Sequence, residues 1–413
     1  MKENALIGAF FIKKVGYFNI SIVFIHCEYN YFIMKISQQK FINESWTHIN
    51  KDDEFNNTKC QLVLAFGLRE LIAKADIYNK LKSDYPQANI ILSSTAGEIM
   101  ANEVLDNSIV VSALQFEKNA VKCIKTNIGE HENSFEAGAF LFRALPKQEL
   151  QSVLVFSDGM VINGSDLVEG LNNENHNNIA ITGGLAGDGA NFQSTVTGLN
   201  EVPKAGEIIA IGFYGTTLKI GHGSIGGWNE FGNEKIITKS DKNVLYEIDG
   251  KNALDLYKEY LGEYSKELPG SALLFPMSLK LKDSEKTLVR TILSINNNEK
   301  TMTFAGNIPE GSKVRLMKAN FDKLIDGSAE AAKNTFNTTE DAQPEFALLI
   351  SCVGRKLVLQ DRTEEEVEAS NSIFGDNTHV TGFYSYGEIC PFTRFSKCEL
   401  HNQTMTITTF SEN

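Results

Sequence analysis

The stretch Asn89-Ile90-Ile91-Leu92-Ser93-Ser94-Thr95-Ala96-Gly97-Glu98 is an apolar strand pattern that ends in a glycine followed by an acid. The same ending recurs in 178–188, which closes on Gly187-Asp188, and in 379–388, which closes on Gly387-Glu388. Each copy follows a helical stretch and, before that, another apolar strand: Leu62–Phe66, Ser152–Phe156 or Phe346–Ile350. Strand, helix and strand together predict a repeated α/β unit, and such units tend to bind ligands at the ends of their strands.

Segments between and after these units predict antiparallel strands. Glu207–Tyr214 is a short apolar run near glycine turns, and Thr404–Phe410 alternates threonines with Met405, Ile407 and Phe410. In the third unit, Thr363 with Glu366 three residues later predicts a capping box at the start of a helix. We therefore predict the α/β class in its mixed α+β form. Strand-helix-strand units and antiparallel strands would form mixed sheets flanked by helices.

The length of 413 residues allows two or three domains. We place a boundary near residue 220, which divides 34–220 from 221–413. Residues 1–33 are rich in Phe, Ile, Tyr and Asn, and Lys13 and Lys14 interrupt their apolar run. We expect a non-native or disordered N-terminal extension there, with a native start at Met34. The competing interpretation is an N-terminus attached to a membrane.

Composition and motif searches exclude several classes of function. A net charge of −13 without a Lys/Arg run argues against nucleic-acid binding. Scattered cysteines predict reduced thiols in a cytoplasmic protein, and the histidine spacings disfavour a metal site. The pattern Gly-x-Gly-x-x-Gly at 221–226 precedes poor helix material, so a turn is favoured over a dinucleotide loop. No paired base and nucleophile motif is found, and we expect a protein that is not an enzyme, without stable membrane insertion.

The Gly-acid endings are the candidate ligand site. Backbone amides of a glycine turn can receive an anion, and Glu98, Asp188 or Glu388 can receive a cation. An amino acid or a similar zwitterion needs both. The alternative is structural, with glycines that make tight turns and acids that cap neighbouring amides. The other candidate ligand-binding residues are Thr95, Gly97, Ser157, Asp158, Gly184, Gly187, His222, Arg355, Tyr384, Tyr386 and Gly387.

Four of these candidates carry specific expectations. Phe383, Tyr384 and Tyr386 would add an aromatic wall to the third copy, as in many small-molecule pockets. Arg355 could bind a ligand carboxylate through two hydrogen bonds, or it could pair with the acids at 364–366. His222, in a glycine-rich stretch, either contacts a ligand or makes structural hydrogen bonds.

Several of these segments together resemble the FIST domain family of sensory signal-transduction modules. The resemblance covers nearly the whole chain from about Met34 onward, and its most specific segment is 382–389. The N-terminal half resembles the family at 94–99, 155–159, 163–165 and 183–189, and the C-terminal half at 221–224, 249–253, 351–355 and 382–389.

The resemblance implies an intracellular bacterial sensor that binds a small ligand, such as an amino acid. Since the final strand is followed by only a few residues, we expect a stand-alone sensor that signals to a separate histidine kinase or cyclic-di-GMP enzyme. No cofactor is expected in this interpretation. The first alternative is a haem-binding nitric-oxide sensor. The second is an enzyme that acts on a small polar metabolite.

Overall fold

The structure, a computed structural model, describes residues 34–282, 287–339, 342–394 and 396–412. The extension predicted at 1–33 lies outside these residues. The strands, in chain order, are β1 Lys35–Ile42, β2 Ser45–Lys51, β3 Leu62–Gly67, β4 Asn89–Ser94, β5 Glu98–Met100, β6 Glu103–Leu105, β7 Ile109–Gln115, β8 Ala120–Asn127, β9 Leu150–Ser157, β10 Ala180–Leu185, β11 Thr197–Leu199, β12 Glu207–Tyr214, β13 Leu218–Ile225, β14 Asn229–Asp241, β15 Val244–Ile248, β16 Lys251–Asn252, β17 Met277–Lys280, β18 Thr287–Arg290, β19 Ile292–Asn296, β20 Thr301–Phe304, β21 Lys313–Lys318, β22 Phe346–Cys352, β23 His379–Ser385, β24 Gly387–Pro391, β25 Cys398–His401 and β26 Met405–Glu412.

Helices connect or cover these strands. They are α1 Arg69–Ile72, α2 Ala75–Asp84, α3 Ser134–Ala144, α4 Gly164–Glu174, α5 Ala253–Leu261, α6 Phe321–Thr339, α7 Val353–Leu359 and α8 Thr363–Phe374. Within the described ranges, every helix is too short or too polar to span a bilayer.

Three sheets of six strands share one plan. Their strand orders are β11-β4-β3-β7-β1-β2, β25-β24-β10-β9-β12-β8 and β6-β5-β23-β22-β26-β13. Each sheet contains one parallel pair, β3 with β4, β9 with β10 or β22 with β23, and the helices lie between its two strands in the chain. The other strand pairs in these sheets are antiparallel. The predicted fold class and the three strand-helix-strand units are therefore confirmed.

The three units are interlocked by exchanged strands. After β4 the chain crosses to another sheet, where β5 pairs with β23. After β10 it crosses so that β11 pairs with β4, and after β23 it crosses so that β24 pairs with β10. Each unit thus completes the sheet of another unit in a cyclic arrangement. We call this interlocked part of the molecule the threefold body.

A shared apolar core lies inside the threefold body. Phe66 of the first unit, Phe156 of the second and Phe383 of the third contact one another, with ring centroids 4.6 to 6.0 Å apart. All three rings are fully buried. Strands covered on both faces require continuous apolar runs, which explains why the first strand of each unit has no polar alternation.

A fourth sheet is inserted between β13 and α6. It has the strand order β18-β17-β21-β14-β15-β20-β19, with β16 beside β15, and α5 packs on it. Its own apolar core includes Ile237, Leu245, Tyr257 and Phe304. We call residues 229–318 the inserted sheet. The boundary placed near residue 220 stays a prediction.

The glycine pattern at 221–226 lies largely within β13, so the prediction of a turn at this pattern was wrong. A Cβ atom on Gly223 would lie 2.1 Å from the carbonyl oxygen of Ala331, and one on Gly221 would lie 2.6 Å from that of Thr335. Both carbonyls belong to α6. The glycines therefore allow a helix to pack closely on a strand, and no phosphate-binding turn is formed.

The predicted capping box at the start of α8 was also wrong. Arg362 occupies the N-cap position, and its side chain makes no cap hydrogen bond. The hydroxyl of Thr363 donates to the carbonyl of Lys356 at 3.3 Å, and Glu366 is fully buried. A tertiary partner, described below, holds the Glu366 carboxylate away from the helix terminus.

Candidate functional site

The three Gly-acid turns meet at one end of the threefold body. The amide of Tyr384 donates to the carbonyl of Gly97, and the amide of Ala96 donates to that of Tyr384, both at 2.8 Å. The amide of Gly187 donates to the carbonyl of Ser94 at 3.0 Å. In β10 and β24, residue 184 pairs with 388 and residue 185 with 387. The exchanged strands therefore bring the three turns together.

The carboxylates of the first and third turns face inward, onto hydroxyl groups. Glu98 is 1% exposed and accepts hydrogen bonds from Thr95 at 2.5 Å and Ser108 at 2.6 Å. Burial raises its pKa to about 7, although both hydroxyls oppose that shift. A carboxyl group in this position is satisfied by the protein and does not need a ligand cation.

Glu388 repeats this arrangement in the third turn. It is fully buried and accepts from Ser385 at 2.6 Å and from the Thr404 hydroxyl at 2.9 Å. Burial raises its pKa to about 8. Ser108 and Thr404 each precede the strand that returns beside the first strand of the unit, β7 or β26, so both sites are built from equivalent positions.

Asp188 in the second turn holds a loop together. Its carboxylate accepts from the backbone amides of Phe192, Gln193 and Ser194 at 2.8 to 2.9 Å, and from the hydroxyl of Tyr386. The Tyr386 ring stacks on Phe192, with centroids 4.6 Å apart. These contacts correspond to the structural alternative, in which the acid caps neighbouring amides.

Asp158 has the same role one strand away. It accepts from the amides of Met160 at 2.7 Å, Val161 at 3.0 Å and Gly206 at 2.9 Å. The neighbouring Ser157 is fully buried, and its hydroxyl donates to the carbonyl of Asp158. The loop 159–163 is thereby fixed at the end of β9.

Arg355 and Tyr384 belong to a buried polar cluster around Glu366. The guanidinium donates twice to Oε2 of Glu366, at 2.7 and 2.9 Å, and also to the carbonyls of Gly226 and Leu324. The Tyr384 hydroxyl donates to Oε1 of Glu366 at 2.9 Å. The structure thus places Arg355 in the pairing with the acids at 364–366 that the sequence left open.

His222 lies in β13 and is separated in sequence from the three Gly-acid turns. In space its ring lies near Cys390. Its Nδ1 atom is 3.9 Å from the Cys390 sulfur. Burial lowers the pKa of this histidine to about 4, which keeps the ring neutral at physiological pH. Its amide donates to Thr338 of α6 at 3.0 Å. This geometry favours a structural role.

A cleft of about 620 Å³ lies between the threefold body and the inserted sheet. Among the predicted site residues, Tyr386 lines it, and Gly159 and Leu185 of the Gly-acid regions line it too. Apolar side chains dominate its walls, among them Met160, Val161, Phe192, Leu273, Ile292 and Leu293. This volume is within the range of small-molecule sites. We call it the interdomain cleft.

Two neutral polar side chains in the interdomain cleft have unused hydrogen-bonding capacity. Asn402 is fully buried and Thr291 is 5% exposed. Neither the Asn402 Oδ1 nor the Thr291 Oγ1 has a hydrogen-bond partner among the described residues. Buried polar atoms are rarely left in this state, so each is a candidate ligand contact.

Sequence reasoning missed both residues. Asn402 lies in a polar turn, 402–404, between β25 and β26. Its neighbour Gln403 is fully buried, and both of its side-chain amide atoms also lack partners among the described residues. Three consecutive polar residues before a buried strand were the available signal.

Two adjacent regions of the chain match known protein families. A model of the FIST N domain matches residues 61–251, and a model of the FIST C domain matches residues 253–391. The chain belongs to the FIST family. FIST domains are associated with sensory signal transduction. In this FIST protein the interdomain cleft is lined from both matched regions, and Asn402 lies beyond the FIST C match.

A curated relative and a solved structure are similar to this FIST protein. The chain is 25% identical over 312 residues to the uncharacterized protein MJ1623 of Methanocaldococcus jannaschii. That match covers 68% of the chain and 58% of the archaeal protein. A crystal structure of cyanuric acid hydrolase from A. caulinodans aligns with a TM-score of 0.35 and 8% identity, over 87% of this chain and 92% of the other.

Haem, the cofactor of the first alternative, fits the interdomain cleft of this FIST protein poorly. Haem iron takes His, Cys, Met or Tyr ligands. Among the described lining residues, Met160, Cys352 and Tyr386 are of these types. The Tyr386 hydroxyl is bound to Asp188, and burial raises the pKa of the Cys352 thiol, which disfavours a thiolate. The same described lining offers neither a histidine nor a cationic side chain for the propionates.

Proposed function

We propose that this FIST protein is a sensory module that binds a small ligand in the interdomain cleft, without catalysis. The observation that carries the proposal is a pair of polar atoms, on Asn402 and Thr291, that have no hydrogen-bond partner among the described residues and lie inside a cleft of about 620 Å³. A ligand that donates to the Asn402 Oδ1 would satisfy an acceptor that the described part of the chain leaves unpaired. The converging turns support the cleft from behind, through Tyr386 and the loop that Asp188 holds.

The position of the cleft supports a signalling role. One wall is the loop 159–164 of the threefold body, and the facing wall comes from β19 and β20 of the inserted sheet. A ligand that contacts both walls would stabilise one relative arrangement of the two parts over others. A separate partner, which we propose to be a histidine kinase or a cyclic-di-GMP enzyme in the cytoplasm, would read that change.

The non-catalytic part of the proposal rests on how the acids are used. Glu98 and Glu388 accept hydrogen bonds from hydroxyl groups, and Asp158 and Asp188 accept hydrogen bonds from backbone amides. A general acid or base must be within hydrogen-bond reach of the substrate. These four carboxylates instead hold the turns that support the cleft.

A thermal-shift screen with a cleft-filling variant tests the proposal. The compounds are amino acids, uncharged metabolites and hemin, each measured against the wild type and against Ala305→Phe, whose new ring would occupy the cleft. The matched control is Ala205→Phe, at an exposed position outside the lining. We expect a compound that raises the melting temperature of the wild type and of Ala205→Phe, but leaves Ala305→Phe unchanged.

Three results would count against the proposal. Stabilisation of all three proteins by the same amount would place the ligand outside the interdomain cleft. Turnover of a stabilising compound would favour the enzyme alternative over sensing. A Soret band on addition of hemin, lost in Ala305→Phe, would instead favour the haem alternative.

A further inference from the structure

The described residues that line the interdomain cleft carry no charged side chain. The polar groups among them are asparagine amides, hydroxyls and a thiol, on residues such as Asn163, Asn243, Thr291, Thr303 and Asn402. All of these are neutral at physiological pH. The described lining residues therefore offer hydrogen bonds and apolar surface, but no side chain that could serve as a counter-ion.

Charged side chains near the cleft are held by other partners. Arg290 lies behind the wall at Gly306, where a Cβ atom would be 3.0 Å from its Nε. Its guanidinium donates to the carbonyls of Asn307 at 3.1 Å and Leu400 at 3.0 Å. Asp158 and Asp188, which belong to the threefold body, accept hydrogen bonds from the backbone amides described above. None of the three lines the cleft.

Charge sets a strong limit on what such a site can hold. An ammonium or carboxylate loses its hydration on entering an apolar cleft, and the loss is costly unless a partner of opposite charge replaces the water. An uncharged molecule meets no such penalty. It gains from contact with the apolar walls, and a single donor group could satisfy the buried Asn402 Oδ1.

We propose that the ligand of the interdomain cleft is an uncharged, largely apolar molecule with a hydrogen-bonding group that meets Asn402 and Thr291. This inference rests on the proposed function and narrows it. It replaces the zwitterion suggested by the Gly-acid turns with a neutral ligand, because those acids are already bound within the protein.

Two dyes with the same aromatic body test the charge requirement. N-phenyl-1-naphthylamine is neutral, and 8-anilino-1-naphthalenesulfonate differs by one sulfonate. Both become fluorescent in apolar surroundings, so each can be titrated against the full chain. We expect the neutral dye to bind about tenfold more tightly or better, which corresponds to about 1.4 kcal/mol. Millimolar L-leucine should leave the neutral dye bound.

Substitutions of lining residues test whether the dye binds in the interdomain cleft. Leu293 is 46% exposed on the cleft wall, so Leu293→Asp should fold normally and should weaken the neutral dye severalfold. Ala305→Phe should do the same by occupying space. The matched control is Val202→Asp, at an exposed apolar residue outside the lining, which should bind the dye as the wild type does.

The other outcomes separate this inference from the proposed function. Equal affinity for the sulfonate, or displacement of the dye by leucine, would overturn the neutral class and leave a cleft-binding sensor in place. Dye binding that is insensitive to Leu293→Asp and to Ala305→Phe would overturn this inference as well, since the dye would then lie outside the interdomain cleft. Failure of the neutral dye to bind would overturn the apolar class, and the thermal-shift screen would still decide whether the cleft binds anything.

Discussion

Arg355 and Glu366 form an ion pair in which both side chains are fully buried, with Nη2 to Oε2 at 2.7 Å. Removing one partner leaves an uncompensated charge in the interior, which typically costs about 3–5 kcal/mol. We therefore expect Arg355→Met to lower the free energy of unfolding by that amount, measured by urea denaturation.

Arg362 provides the matched control, since it pairs with Glu365 and Asp322 at the surface. Exposed pairs contribute little, so Arg362→Met should change the unfolding free energy far less than Arg355→Met. Equal effects of the two substitutions would show that the buried pair is not a principal support of the third unit.

Glu388→Gln should change how stability depends on pH. Burial raises the pKa of Glu388 to about 8 in the folded state, far above its value in an unfolded chain. Between those values the folded state holds a proton that the unfolded state has lost, so stability falls as pH rises, by at most about 1.4 kcal/mol per pH unit for one group. Glutamine resembles the protonated form and lacks this dependence.

The measurement is urea unfolding of wild type and Glu388→Gln from about pH 5 to about pH 8. Glu98 and Glu345, whose pKa values burial also raises, remain in both proteins and cancel in the difference. We expect the unfolding free energy of the variant, relative to that of the wild type, to increase steadily as pH increases. Parallel curves would mean that Glu388 is ionised throughout. Glu263→Gln, at a side chain that is 89% exposed, is the control substitution.

Tyr386→Phe should loosen the loop that borders the interdomain cleft. The hydroxyl bonds to the Asp188 carboxylate, and hydrogen bonds to charged groups contribute about 1.5–3 kcal/mol. We expect a loss of this size in urea unfolding, with weaker ligand binding, because Phe192 and residue 386 both line the cleft. The exposed Tyr264→Phe is the control, and an equal loss there would contradict the role given to Tyr386.

The repeated local pattern was enough to predict the units of the fold. Runs such as Leu62–Phe66 are apolar because both faces of the strand are covered, and this property is readable from the sequence. The exchange of strands was not readable. The pairing of Glu98 with Phe383 joins residues far apart in the chain, and no local propensity encodes such a partner.

Local rules failed where a tertiary contact was stronger. Thr363 and Glu366 fit a capping box, but the buried Arg355 guanidinium takes the carboxylate. The glycines at 221 and 223 fit a nucleotide loop, but they make room for α6. The candidate site shows the same contrast between what local sequence predicts and what tertiary contacts decide. The turns were predicted from their residues, whereas Asn402 became a candidate only when its neighbours in space were known.

Asn402→Leu should separate a ligand contact from a structural one. The Asn402 Oδ1 is buried without a partner among the described residues, whereas its Nδ2 donates to the carbonyl of His401 at 3.0 Å. A leucine of similar size removes an unsatisfied acceptor together with one local hydrogen bond, so it should lower the unfolding free energy by less than a substitution that breaks a fully bonded amide. Asn172 is the matched control, since its side chain bonds to Cys398 through both the amide and the oxygen. Asn172→Leu should cost about 1–3 kcal/mol. If Asn402→Leu lost as much as Asn172→Leu in urea unfolding, Asn402 would be a structural residue, and the cleft would lack the acceptor on which its ligand contact depends.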